Sequence, residues 1–273
     1  MNSAKTKKTN HCNCSGKGYS WSIEQKNAVI CKCIEKKCIC GNENNNLYYD
    51  EKNSIFRQCI CKQFRSNINK INKIFKNADL PENYKGKFLC DFNLQDKKNK
   101  PVQESQELLN VIEDIIINYP DLTKRRGLAL WSQTTGNGKT LSASIIMNTL
   151  ILDYSASAKF LKLSSDYFGR LKNSYSKDLE SETDIIKNLI SYDILIIDDF
   201  GTQRSTEWEN EKLYELIDGR NNYHKTTIIT TNNNLDNIEK LAENDRILSR
   251  IIEMCIIYNV KAPNYRQNFL IKK

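Results

Sequence analysis

Gln133-Thr134-Thr135-Gly136-Asn137-Gly138-Lys139-Thr140 is the stretch on which the reading of this chain turns. A short apolar run, Gly127-Leu-Ala-Leu-Trp131, precedes it, and Leu141 to Leu152, rich in Ile, Leu and Ala, follows. The order is strand, loop, helix. The loop fits the phosphate-binding pattern G-x-x-x-x-G-K-[ST] at Gly138, Lys139 and Thr140, with Gln133 where the first glycine belongs. The chemistry assigns the nucleotide site to Thr135, Gly136, Asn137, Gly138, Lys139, Thr140 and Leu141. Backbone amides of the loop and helix start point at phosphate oxygens, Lys139 reaches the β- and γ-phosphates, and the Thr140 hydroxyl ligates Mg²⁺. The first glycine of the pattern eases the turn out of the strand, so Gln133 bears on loop geometry more than on phosphate contact.

A phosphate loop needs a second motif, and Tyr192-Asp-Ile-Leu-Ile-Ile197-Asp198-Asp199-Phe-Gly201 supplies it about 60 residues downstream. Four apolar residues of a buried strand end in two carboxylates, the form of a Walker B strand. Asp198 is expected to hold Mg²⁺, largely through water, and Asp199 to orient or deprotonate the attacking water. Further strands are expected at 159–163 and 226–231, and helices at about 165–175, 182–190 and 206–222, an alternation that predicts an α/β domain with a parallel sheet. Asn232, closing the strand that ends Thr230-Thr231, stands where a sensor of the γ-phosphate sits. Lys162, Tyr167, Phe168, Arg170, Lys172 and Tyr175 interleave bases and aromatics in a way that suits single-stranded nucleic acid. His224 and Cys255 read as structural.

In front of this body, eight of the ten cysteines form four Cys-x-Cys pairs: Cys12/Cys14, Cys31/Cys33, Cys38/Cys40 and Cys59/Cys61. Sixteen residues separate the inner cysteines of the first two pairs and eighteen those of the last two. Two thiolate turns separated by a short hairpin are how a zinc ribbon supplies four soft ligands, so two Zn²⁺ sites are expected, with His11 an alternative to Cys12 in the first. A segment of this size has too few large apolar residues for its own core, and metal binding then supplies on the order of 10 kcal/mol of its folding free energy. After Cys61, Phe64, Ile68, Ile71 and Phe75 recur at helical steps and Pro81 ends the pattern. Tyr84, Phe88, Leu89 and Phe92 then read as an extended lead-in that packs on the body. The divisions expected are a cysteine module over 1–62, a helical linker over 63–85 and an ATPase domain over 86–273.

The run Ile197-Asp-Asp-Phe-Gly-Thr-Gln-Arg-Ser-Thr-Glu-Trp208, with Leu213-Tyr-Glu-Leu-Ile217, Ile228-Ile-Thr-Thr-Asn232 and Arg246-Ile-Leu-Ser-Arg250-Ile251, resembles helicase loaders of the DnaC/DnaI type and the related IstB-type transposition ATPases. The resemblance covers about Tyr84 to Arg266, and Cys14-Ser-Gly16-Lys-Gly18 is similar to the N-terminal zinc module of some such loaders. It implies an AAA+ fold, ATP and Mg²⁺ as ligands, and a homo-oligomer, when ATP is bound, in which a neighbour inserts an arginine. Arg250 is then the trans-acting finger, Arg246 its support and Arg266 a second sensor. It further implies a replicative helicase and single-stranded DNA as partners, with slow ATP hydrolysis as the release switch. The alternative is an IstB-like transposition or phage ATPase acting on double-stranded DNA with a recombinase. A third reading, motivated by Gln133, is a zinc-dependent adaptor that binds nucleotide without hydrolysing it.

Charge agrees with a nucleic-acid or acidic-protein partner for the front end. Residues 1–85 hold 16 Lys/Arg against 7 Asp/Glu, while the remainder holds 25 against 26. The polar start, MNSAKTKKTNHC, carries no apolar signal region and no run approaches a membrane span of about 18 apolar residues, so a cytosolic protein is expected.

Overall fold

The computed structural model describes residues 14–41, 46–92, 102–121, 127–174, 180–201, 206–235, 245–262 and 264. Contacts divide the chain into two compact units, Met1–Lys73 and Ile74–Lys273.

The first unit is two small hairpins and a helix. Strands β1 (Tyr19–Ser22) and β2 (Asn27–Ile30) pair antiparallel, as do β3 (Leu47–Asp50) and β4 (Ile55–Gln58), and the short helix α1 (Lys32–Glu35) stands between the hairpins. Each hairpin lies between two cysteine turns, which is why the strands are short: the cysteines, not a sheet, terminate them. Helix α2 (Cys61–Asn77) starts on the last cysteine itself. Its Ile68 and Ile71 are buried, as the helical spacing predicts. Gly18, in the left-handed region at φ +77, leaves no room for a Cβ beside the Phe64 ring, so both its conformation and its neighbour require glycine. Asn72 of α2 clasps β2 by both ends of its amide, accepting from Ala28 N at 2.7 Å and donating to Ala28 O at 3.0 Å.

The second unit is a parallel five-stranded sheet with flanking helices. Its strands are β5 (Gly127–Trp131), β6 (Ala158–Lys162), β7 (Ile194–Phe200), β8 (Thr226–Thr231) and β9 (Cys255–Asn259), in the order β6-β7-β8-β5-β9. Every neighbouring pair is parallel. Strands buried on both faces read as continuous apolar runs, which is how β5 and β7 appear in the sequence. The crossover helices are α3 (Gln103–Asn118), α4 (Lys139–Tyr154), α5 (Gly169–Asn173), α6 (Glu182–Ser191), α7 (Glu207–Asn222) and α8 (Arg246–Met254). Most of α4 is buried all round, from Ser142 to Ile151, as befits a helix covered on both sides. Among the described helices, three starts carry side-chain caps: Ser181 accepts from Asp184 N on α6, Thr206 and Glu209 form a reciprocal capping box on α7, and Asp245 accepts from Ile247 N and Leu248 N on α8.

Three details differ from the sequence reading. The lead-in after Pro81 is a series of turns and a short 3₁₀ turn at Leu89–Asp91 instead of an extended strand. It is held by Asn148 of α4, which donates to Tyr84 O at 2.8 Å and Lys87 O at 2.9 Å. The stretch after β6 forms a wide π-type turn over Leu163–Phe168 before α5. There Tyr167 and Phe168 point into the core, with the Tyr167 hydroxyl donating to Lys212 O at 2.6 Å, so neither ring is available to stack on bases. Arg170 and Lys172 pair with Glu180 and Glu209, and Tyr175 lies outside the described residues.

Candidate nucleotide and metal sites

The nucleotide site is built where β5 meets α4. Gly136 and Gly138 adopt φ of +74 and +97, turning successive amides toward one concavity at the start of α4. Gln133 is absent from the positive-φ positions and its side chain is exposed, so the backbone there asks for no glycine and the substitution is accommodated. The Lys139 ammonium, nearly buried, donates to Ser132 O at 3.3 Å, Thr134 O at 3.0 Å and Asn137 Oδ1 at 3.2 Å. An ammonium on this loop fits a site that takes an anion. Asn137 is itself buried, and its Nδ2 donates to Val260 O at 2.8 Å, just past the end of β9. Val260 N in turn donates to Trp131 O at 2.8 Å, so the loop, β5 and the segment after β9 are tied by one amide side chain and one ladder bond.

Asp198 is the hub of the site. Its Oδ1 accepts from the Thr140 hydroxyl at 3.0 Å and the Thr230 hydroxyl at 2.6 Å, joining phosphate loop, β7 and β8 at one carboxylate. Burial pushes this carboxyl above its usual range and the charge of Asp199 adds to the effect, against the two hydroxyls. A buried carboxylate of this kind fits a bound cation. The β7–β8 register steps from Ile197↔Ile229 to Phe200↔Thr231, so two residues, Asp198 and Asp199, oppose the single Thr230. This bulge puts Asp199 at φ +58 and exposes its side chain next to the buried Asp198. Asp199 N donates to Thr230 Oγ1 at 3.2 Å, which ties the bulge to β8. Asn232 follows the end of β8 and is half-buried. Thr230 was not singled out in the sequence as a functional residue; only strand pairing shows which β8 hydroxyl stands beside the Walker B carboxylate.

The two candidate finger residues lie elsewhere in the chain. Arg246 stacks on the Tyr214 ring of α7 with 4.1 Å to the centroid, while Arg250 pairs with Asp218 at 2.7 Å and Glu253 at 2.8 Å. Their partners are thus on α7 and α8, not at Lys139 or Asp198. Arg266 lies outside the described residues.

The cysteines gather as two groups: Cys38, Cys40, Cys59 and Cys61 in one, Cys14, Cys31 and Cys33 in the other. Cys12 and His11 lie outside the described residues. In the four-cysteine group the Sγ atoms of Cys38 and Cys40, and of Cys40 and Cys61, are 3.5 Å apart, and those of Cys38 and Cys59 3.8 Å. Zinc–sulfur bonds of about 2.3 Å in a tetrahedron require sulfur–sulfur edges of about 3.8 Å, so the donor set fits Zn²⁺. Burial resists ionisation of Cys59, yet nearby backbone amides bring its thiol down to about 6. Burial and the neighbouring thiols push Cys61 up to about 12. Four thiols this close cannot all ionise without a cation among them.

A family model described as IstB-like ATP binding protein matches residues 103–271, more than half of the chain. The replicative helicase loader DnaC of Escherichia coli K12 is 25% identical over 122 residues, 45% of this chain and 49% of the loader, so the chain spans about half the length of that relative. The phage-like element PBSX protein XkdC of Bacillus subtilis is 21% identical over 238 residues, 84% of each chain. Among solved structures, the DnaC helicase loader superposes with a TM-score of 0.55 at 23% identity, covering 66% of this chain and all of that one, a likeness of fold. Among the described residues no helix is long and apolar enough to cross a membrane. With the phosphate loop, the paired carboxylates and the parallel sheet in place, and a family model matched across them, the chain belongs to the IstB-like ATP-binding family.

Proposed function

We propose that this protein is an ATP-switched loader of a replicative helicase: it binds ATP with Mg²⁺, assembles through its ATP sites, contacts single-stranded DNA and docks on the helicase. The observation that carries the reading is the Thr140–Asp198–Thr230 junction, which links phosphate loop, Walker B strand and sensor strand at one buried carboxylate. Similarity to a curated helicase loader supplies the partner class. Lys139 would leave its carbonyl acceptors for the β- and γ-phosphates, and Thr140 and Asp198 would hold Mg²⁺, which supplies charge neutralisation at the transferring phosphoryl group. Asp199, exposed by the bulge, orients or deprotonates the attacking water, and Asn232 reads the γ-phosphate from the end of β8. Arg250, supported by Arg246, reaches the site of a neighbouring subunit, so turnover requires assembly. Arg266 would complete the site from the C-terminal side. Loss of the γ-phosphate removes what Asn232 and the neighbour's arginine hold in common, and the assembly loosens. In the cysteine module, Cys38, Cys40, Cys59 and Cys61 hold one Zn²⁺, and Cys14, Cys31 and Cys33 with Cys12 a second.

A second reading, an ATPase that serves a recombinase on double-stranded DNA, is favoured by the IstB-like family match and by the similarity to a phage-like element protein over 84% of each chain. The adaptor reading is motivated by Gln133, which is not among the residues at positive φ, and a turnover stimulated by single-stranded DNA would reject it. The separating experiment measures ATP turnover with single-stranded and duplex DNA, and helicase loading onto a single-stranded circle, for the wild type and Lys139→Ala. Stimulation by single strands, and loading lost in the variant, support the loader. Stimulation by duplex alone, with no loading, selects the second reading.

A further inference from the structure

Two of the rings expected to stack on bases in the body, Tyr167 and Phe168, are core residues, but the first unit displays an exposed pair. On the β3–β4 hairpin, Tyr49 and Phe56 stand directly opposite one another with ring centroids 5.3 Å apart at 61°. They are 51% and 72% exposed. Strand alternation puts Leu47, Tyr49, Phe56 and Gln58 on one face, while Tyr48, on the other, packs with the cysteine cluster. The ring face therefore looks away from the metal site. Single exposed apolar residues are ordinary, but here Ile39 and Ile60, the central residues of two Cys-x-Cys turns, are exposed on the same unit as well, and an accumulation of this kind marks an interaction surface.

Charge selects the occupant. The described residues of the first unit hold eleven Lys/Arg and four Asp/Glu, and one of those acids, Asp50, is already paired with Arg57. Lys52 lies in the hairpin turn and Lys62 at the start of α2, both exposed. A partner for a basic surface with paired exposed rings carries regular negative charge and flat apolar groups with free faces. Single-stranded nucleic acid has both; a duplex hides its base faces in the stack.

We propose that the outward face of the β3–β4 hairpin is a binding platform for single-stranded nucleic acid, with Tyr49 and Phe56 stacking on bases and Lys52 and Lys62 facing phosphates. The inference rests on the strand-binding part of the function proposed above and moves that contact from the ATPase body to the cysteine module. Leucine keeps the apolar character of the face and removes its π surface, whereas tryptophan keeps both.

The test titrates labelled oligothymidylate and oligouridylate into zinc-loaded full-length protein, wild type against Tyr49→Leu/Phe56→Leu and Phe56→Trp. Metal content and DNA-free ATP turnover report folding. The leucine pair should lose about tenfold or more in affinity with both readouts unchanged, and Phe56→Trp should bind like the wild type with its added emission quenched by the oligonucleotide. Preference between the two oligonucleotides then assigns DNA or RNA. Tight binding unaltered by the leucine pair overturns the platform and leaves the loader reading standing. No binding of either strand by the wild type overturns both. Unaltered strand affinity with lost capture of the helicase makes the face a protein interface and overturns the proposal.

Discussion

The Thr230 hydroxyl donates to Asp198 Oδ1 at 2.6 Å and also accepts from Asp199 N, so it holds the first carboxylate of the Walker B strand and the backbone of the second acid at once. Thr230→Val keeps the shape and removes the hydroxyl. Turnover should fall by roughly 10- to 100-fold while nucleotide affinity moves far less, as a Michaelis–Menten series set against a nucleotide titration will show. Equal losses in both would make Thr230 a binding residue instead. Arg220 is the other side chain whose weight shows only in three dimensions. It is fully buried and donates to Thr227 Oγ1 at 2.9 Å, Leu189 O at 2.8 Å, Tyr192 O at 2.9 Å and Thr226 O at 2.7 Å, knotting the end of α6 to the starts of β7 and β8. Arg220→Met leaves the carbonyls of Leu189, Ile190, Tyr192 and Thr226 without this donor and should cost about 3–5 kcal/mol in urea unfolding. An undiminished midpoint would contradict that account. In sequence Arg220 is one more base on an amphipathic helix, because nothing local says that three separate segments end around it.

At the scale of elements, two arrangements place the chemistry. The β7 bulge inserts one extra residue opposite Thr230 and separates a buried carboxylate from an exposed one; a regular strand would also have placed adjacent side chains on opposite faces, but without the left-handed Asp199. The second is the docking of α8 on α7, where Tyr214 lies under Arg246 and its hydroxyl donates to Asp218 at 3.3 Å, the same carboxylate that pairs with Arg250. Partly exposed ion pairs of this type are worth little, so they orient the arginine without locking it. If the finger acts in trans, mixing Lys139→Ala, which has a dead site and an intact finger, with Arg250→Ala, which has the reverse, should restore part of the turnover that each lacks alone. Mixtures no more active than their components would place Arg250 in its own subunit's structure. The helical spacing of Arg246 and Arg250 is plain in the sequence, but their partners on α7, Tyr214 and Asp218, each 32 residues earlier, are not.

At the scale of the molecule, the two units are stabilised by different means. The second has a core of Leu- and Ile-rich strands under helices, whereas the first is organised by its cysteine groups and has few buried large residues. A chelator strong enough to strip Zn²⁺ should therefore unfold the first unit, seen as partial loss of far-ultraviolet dichroism, and leave nucleotide binding by the second intact. A single cooperative loss of both would mean that the units do not fold separately. Metal analysis of the untreated protein should return about two zinc ions per chain, the eight paired cysteines taken four to a site. The sequence by itself determined the parallel α/β class and the cysteine groups and marked the candidate nucleotide loop with its two carboxylates, because each rests on spacing within a short stretch: a loop between strand and helix, an apolar run ended by acids, turns with paired thiols. Only the tertiary structure decided which strands are neighbours, and with that the partnership of Thr140 and Thr230 at Asp198, the tie from Asn137 to Val260, the ease of Gln133 and the burial of Tyr167 and Phe168. These depend on register and on packing between segments far apart in the chain, and a local pattern holds no information about either.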